Sequence, residues 1–227
     1  MRHSYRPPIP PKPQPYRTQV LDHLGLVAGM FEELGITDVS DRATKQDPAM
    51  RIVTAGHAVK AMGLNGLGFV NPQLDLVPHC FQTKPISRLI ASGIQASHLH
   101  DDPLGRARET LYDCGVTALS CLIAATAATR LGLTRPFSHL DPTRFHGDGR
   151  YTSTQPPAAQ VVHLTPGESR DHRPDLTQGM LEWVVEHHAG LPVLMQPLSG
   201  NSHDGKAFGQ VIRDHIAQLH TTTNQWC

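Results

Sequence analysis

Residues 180–197, MLEWVVEHHAGLPVLMQP, hold two apolar runs on either side of His187-His188-Ala189-Gly190. Two such runs joined by a short segment ending in glycine read as a β-hairpin, with strands at 180–186 and 191–197. Upstream, 137–145 and 161–164 read as two further strands. Downstream, Phe208, Val211, Ile212, Ile216 and Leu219 recur at helical spacing over 204–219. Strands followed by a crossover helix predict an α/β sheet of mixed pairing, because such a helix normally leads into a parallel strand. The residues after it, HTTTNQWC, are too short and polar to be that strand.

Before Pro136 the pattern is helical. Leu21, Leu24, Val27, Ala28 and Phe31 share one face, with Gly35 as the stop. Val53, His57, Val59, Lys60, Met62 and Leu64 belong to a second helix. Asp102 and Pro103 read as the N-cap and first position of a third, which runs through Tyr112 and is broken by Gly115. An Ala-rich helix over 116–131 follows, closed by Gly132. Residues 1–17, MRHSYRPPIPPKPQPYR, are proline-rich and predict a disordered or polyproline arm. The expected organisation is therefore an arm at 1–17, a helical N-terminal domain at 18–133 and a sheet domain at 134–227.

Charge gives no hint of a nucleic-acid partner: these three parts carry +4, −2 and −2, so only the arm is basic. The four cysteines, Cys80, Cys114, Cys121 and Cys227, show no CxxC spacing, which argues against a disulfide scaffold or zinc site and fits a reducing cytoplasm. Cys114 and Cys121, seven apart, are expected as small core residues on one helical face. No apolar run approaches the roughly 18 residues a membrane span needs, so no membrane partner is expected.

Three clusters could carry chemistry. In HLDPTRFHGDG (139–149), Asp141 is a carboxylate within a strand, costly to bury unless it is paired or binds a cation such as Mg²⁺. Asp148, between two glycines, reads as a turn residue. In SRDHRPDL (169–176), Arg170 and Arg173 could contact phosphate, or the loop could be a surface ion-pair cluster. His98, His100, Asp101 and Asp102 could ligate a transition metal, or could form a helix-capping loop. Gly200-Asn201-Ser202-His203-Asp204 reads as a turn and cap. No Walker loop, GxSxG or HExxH is present.

These strings, with LDHLGLVAGMFEELGI, AVKAMGLNGLGFVN, DDPLGRARETLY and GLPVLMQPLSGNSHD, resemble the insertion-sequence transposases of the DDE group with an all-helical N-terminal region. The resemblance runs from about Leu21 to Leu219. It implies an RNase H-like catalytic domain in which Asp, Asp and Glu hold two Mg²⁺ or Mn²⁺ ions for DNA cleavage and strand transfer. It matches Asp141 to the first carboxylate, as catalytic residue and metal ligand, and Arg170, His172 and Arg173 to a charged loop for which a DNA-facing role follows. The implied partners are terminal-repeat and target DNA, with a homodimer or a heterodimer with an intact transposase. The second Asp and the Glu lie further along in relatives, so the expectation is a partial RNase H-like sheet in a truncated, inactive chain. The alternative is a non-catalytic fragment that binds DNA ends or inhibits an intact transposase. Pro142 directly follows the matched Asp, and His100 stands where relatives usually carry Asn.

Overall fold

The computed structural model describes residues 18–45, 51–67, 74–133, 137–147, 162–167 and 175–202, with Gly209, Ile212, Arg213 and Ala217. The proline-rich arm at 1–17 lies outside them. A helical region precedes an antiparallel sheet, so the architecture is mixed α and β.

Helix α1 (Leu24–Leu34) stops at Gly35, whose φ of 69° is left-handed and therefore favours glycine. Its last carbonyls are also met by Arg130, which donates to Glu32 O at 3.1 Å and Glu33 O at 2.9 Å. Helix α2 (Ile36–Ala43) starts at once and packs on α3 (Ala55–Gly66). The N-terminus of α3 is closed from several sides. The Thr54 hydroxyl accepts from His57 N–H at 3.1 Å, and His57 Nδ1 accepts from Thr54 N–H at 3.4 Å. The Asp41 carboxylate takes Gly56 N–H at 2.6 Å and the Thr54 hydroxyl at 2.9 Å. Three backbone N–H groups at the helix end, of Thr54, Gly56 and His57, thereby find partners. Burial holds the His57 imidazole below its ordinary pKa, against the opposing pull of Asp41.

Short helices α4 (Val77–Phe81) and α5 (Ile86–Leu89), with 3-10 turns at Leu74–Leu76 and Ala96–His98, carry the chain to α6 (Asp101–Cys114) and α7 (Val116–Arg130). Leu64, Val77, Phe81, Leu89, Leu99 and Leu104 are fully buried in one core, each worth roughly 1.5–3 kcal/mol of apolar transfer. Lys60 is 1% exposed in the same region and forms an ion pair with Glu32, whose side chain is 64% exposed.

Two helical expectations change. The N-cap of α6 is His100 rather than Asp102, and Asp101 and Asp102 fill the first turn, where they complement the helix dipole. Cys114 and Cys121 do not share a face. Gly115, at φ 89°, ends α6, and α7 leaves at 87° to it. Cys114 donates to Ala43 O at 3.3 Å, whereas Cys121 packs under the sheet, where burial raises its thiol pKa. Among the described residues no single helix is long and apolar enough to cross a membrane.

The sheet contains β1 (Ser138–Gly147), β2 (Thr165–Pro166), β3 (Thr177–Glu186) and β4 (Pro192–Ser199). Strand β3 is central: β1 pairs along its whole length, and β4 and β2 pair with it as well. All described pairings are antiparallel, not mixed. Of the strand expected at 161–164, the described residues 162–164 are not in one. Val162–Leu164 are irregular, because His163 bonds to the end of β4 instead of a ladder: its N–H donates to Ser199 Oγ at 3.0 Å, and its carbonyl accepts from Gly200 N–H at 3.1 Å. Of the helix expected at 204–219, the described Gly209, Ile212, Arg213 and Ala217 are helical.

Alternation along β3 gives the sheet two unlike faces. Gln178, Met180, Glu182, Val184 and Glu186 are buried, while Leu181, Trp183 and Val185 are partly exposed. Val184, Val193 and Leu194 form the second core with Leu140 and Cys121 against α7.

Candidate functional site

Asp141 sits in mid-strand on β1, opposite Trp183, which is opposite Met195 on β4. It is on the sheet face away from the Leu140–Val184–Leu194 row, and it is exposed. The burial cost expected of a strand carboxylate is therefore not incurred, because alternation turns this position to solvent. Among the described residues β1 has one neighbour, β3, and this open edge tolerates Pro142, which has no N–H to donate to a further strand.

His139 and Thr143 flank Asp141 on the same face. His139 Nε2 lies 2.7 Å from His187 Nδ1, and the rings of His187 and His188 meet edge-on at 5.3 Å. The histidines gather at the hairpin turn because Glu186 shapes it. Its two carboxylate oxygens each accept one N–H, from His188 and Ala189, both at 2.7 Å. Gly190, at φ 66°, and the Leu191 carbonyl, which accepts Glu186 N–H at 2.8 Å, close the turn.

The backbone donors hold the Glu186 carboxyl below the ordinary carboxylate range. A carboxyl with a depressed folded pKa contributes stability that is present above its unfolded value and lost as pH falls through the folded one. Glu186→Ala is therefore expected to lower sheet stability at pH 7 and to flatten its decline below about pH 4. Urea melts of both proteins at pH 7 and pH 3, followed by far-UV circular dichroism, check this. An equal difference at both pH values would remove the assigned role.

Among the described residues no group of three or more His, Cys, Asp and Glu is placed to hold a metal ion. Asp141 alone offers one hard-oxygen ligand, so a two-metal site is not assembled from these residues. Arg170, His172, Arg173 and Asp148 lie outside the described residues, so Asp141 is not seen together with the charged loop. The His98–Asp102 segment takes its capping form: His98 Nδ1 accepts Gln95 N–H at 3.2 Å, and His100 Nδ1 lies 3.6 Å from Asp101 Oδ1. At Gly200-Asn201 the expected turn is present, with Ser202 N–H donating to Ser199 O at 2.9 Å.

A feature not foreseen from the sequence lies on the helical region. A groove of about 400 Å³ is lined by Arg51, Ser97, His98, His100, Pro103 and Arg106, with Ile52 and Val53 between them in the wall. Arg51 comes from the segment before α3 and reaches Thr110 Oγ1 at 3.5 Å, whereas Arg106 stands on α6. The convergence spans more than fifty residues, so no local spacing announces it.

Residues 16–125 match the family model of a domain of unknown function (DUF4277), a domain commonly seen in transposase-like proteins. No curated protein and no solved structure matches the chain.

Proposed function

We propose that this chain derives from a DDE-type insertion-sequence transposase, with Asp141 as the first metal-binding carboxylate and with terminal-repeat and target DNA as partners. The observation that carries the reading is the setting of Asp141. It stands mid-way along the first strand of an antiparallel β1–β3–β4 meander, on a face open to solvent and hence to a hydrated divalent ion. The matched helical domain and the HLDPTRFHGDG, SRDHRPDLTQ and GLPVLMQPLSGNSHD strings support it. Mg²⁺ or Mn²⁺ would supply the Lewis-acid chemistry of phosphodiester cleavage. This chain's part would be to present one carboxylate oxygen ligand from a rigid strand.

Within these 227 residues the resemblance assigns one carboxylate of the three. The 227-residue polypeptide is accordingly expected not to nick DNA carrying its element's ends in Mg²⁺ or Mn²⁺. Nicking that disappears in Asp141→Ala would overturn this expectation of inactivity while supporting the transposase assignment. The assignment itself predicts inverted terminal repeats flanking genomic copies of the gene. Consistent absence of such repeats would refute it.

A further inference from the structure

We propose that the groove between Arg51 and Arg106 is a binding site for a backbone phosphate of double-stranded DNA. The inference rests on the reading of the chain as a DNA-acting protein and locates its DNA contact in the helical region. Arg51 and Arg106 line one concavity together with Ser97, His98 and His100, and Ile52 and Val53 complete its wall. Among the described residues neither arginine has a carboxylate within ion-pair distance. Like charges brought together without a counter-ion repel one another, and an anion between them removes that cost.

The remaining donors suit the same ligand. Because His98 Nδ1 accepts the Gln95 N–H, neutral His98 carries its proton on Nε2, which is left as a donor. Arg51 is half-buried and braced by Thr110, so one planar fork is partly pre-positioned, while exposed Arg106 is free to close on a ligand. Asp101 and Asp102 occupy the first turn of α6 and do not line the groove. The groove does reach the start of α6, whose N-cap His100 and third residue Pro103 line it. The near-neutral charge of 18–133 is no obstacle, because a phosphate contact depends on the local cluster. A groove of this size accepts one phosphate with its flanking sugars and leaves the bases outside. Binding here positions the duplex and reads no sequence.

The test uses the full chain and a fluorescein-labelled random 20-bp duplex, with affinity measured by anisotropy between 50 and 200 mM salt. Arg51→Gln/Arg106→Gln is expected to weaken binding about 10- to 100-fold and to reduce the slope of log K against log salt by about 2. Arg106→Gln alone, on an exposed helix position, is expected to leave the thermal melt unchanged and to lose about 1 from that slope. This keeps the test decisive if the double variant unfolds. Wild-type-like binding and slope in Arg106→Gln would overturn the site and leave the transposase reading standing. The site is equally overturned if the wild-type chain does not bind duplex at 50 mM salt, or if 1 mM inorganic phosphate displaces the duplex. The last outcome would mark a small-anion pocket instead.

Discussion

Gly56→Ala is expected to lower the melting temperature by about 6–12 °C, an effect of about 3 kcal/mol in a chain of this size. A Cβ at Gly56 would lie 2.3 Å from the backbone carbonyl oxygen of Thr37 and 2.9 Å from the Asp41 carboxylate. Neither neighbour can yield cheaply. Thr37 O belongs to α2, and Asp41 is held by its bonds to Gly56 N–H and Thr54. Moving them apart separates α2 from α3 and undoes the cap together with the packing. Gly29→Ala is the internal control. Its new Cβ would meet nothing within 4 Å, so it should stabilise α1 by up to about 1 kcal/mol through helix propensity. Thermal melts of the two variants should therefore move in opposite directions. A Gly56→Ala melt within 2 °C of the parent would show that α2 and α3 are not in contact as described.

Glu32→Ala is expected to cost about 2 kcal/mol, more than a surface ion pair is worth. The two partners are unequally placed: Lys60 has a side chain 2% exposed, while that of Glu32 is 64% exposed. Removing Glu32 leaves an ammonium in the protein interior, with no carboxylate partner among the described residues. Such a group either carries an unpaired charge or gives up its proton, and both cost free energy. Solvent around Glu32 limits the loss to less than a fully buried pair would show. Replacing the lysine instead should be mild, because Lys60→Met keeps the stem and discards the charge. The double variant Glu32→Ala/Lys60→Met should thus be more stable than Glu32→Ala alone. Urea midpoints of the three variants decide the point, and additivity of the two single changes would mean that the pair is not coupled.

The elements written most plainly in the sequence were those marked by glycine and by alternation. Gly35 and Gly115 end helices with positive φ, and Gly132 follows α7 with φ 63°. The 187–190 turn joins two strands within two or three residues of the expected ends. What escaped depended on partners distant along the chain. Asp102 has the composition of an N-cap, yet the buried Leu99 and Leu104 fix the helix phase and place the cap at His100. Val162–Leu164 have strand-like composition, but side-chain and backbone bonds to Ser199 and Gly200 take the groups that a ladder would have used.

The same distinction governs the candidate site. Position 141 as a strand residue was readable from the pattern, and the observed strand contains it. Its exposure was not, because which face of a strand is buried depends on where α7 lies. The burial of Lys60 and the convergence of Arg51 with Arg106 are likewise tertiary facts. A lysine at helical spacing among alanines reads equally well as a solvated residue.

Helix α7 packs against α1, α2 and α6 on one side and against β4 on another. It therefore belongs to no single half of the chain. The change of composition near Pro136 marks where helix-forming sequence gives way to strand-forming sequence, but the energetic seam does not run there. Because α7 roofs the Val184–Leu194 cluster, a break in the chain after residue 133 would strip the sheet of its lid. Opening of the sheet and fraying of the helical core are coupled through this one rod. In the language of native-state exchange, the smallest cooperative unit that contains Asp141 must also contain α7.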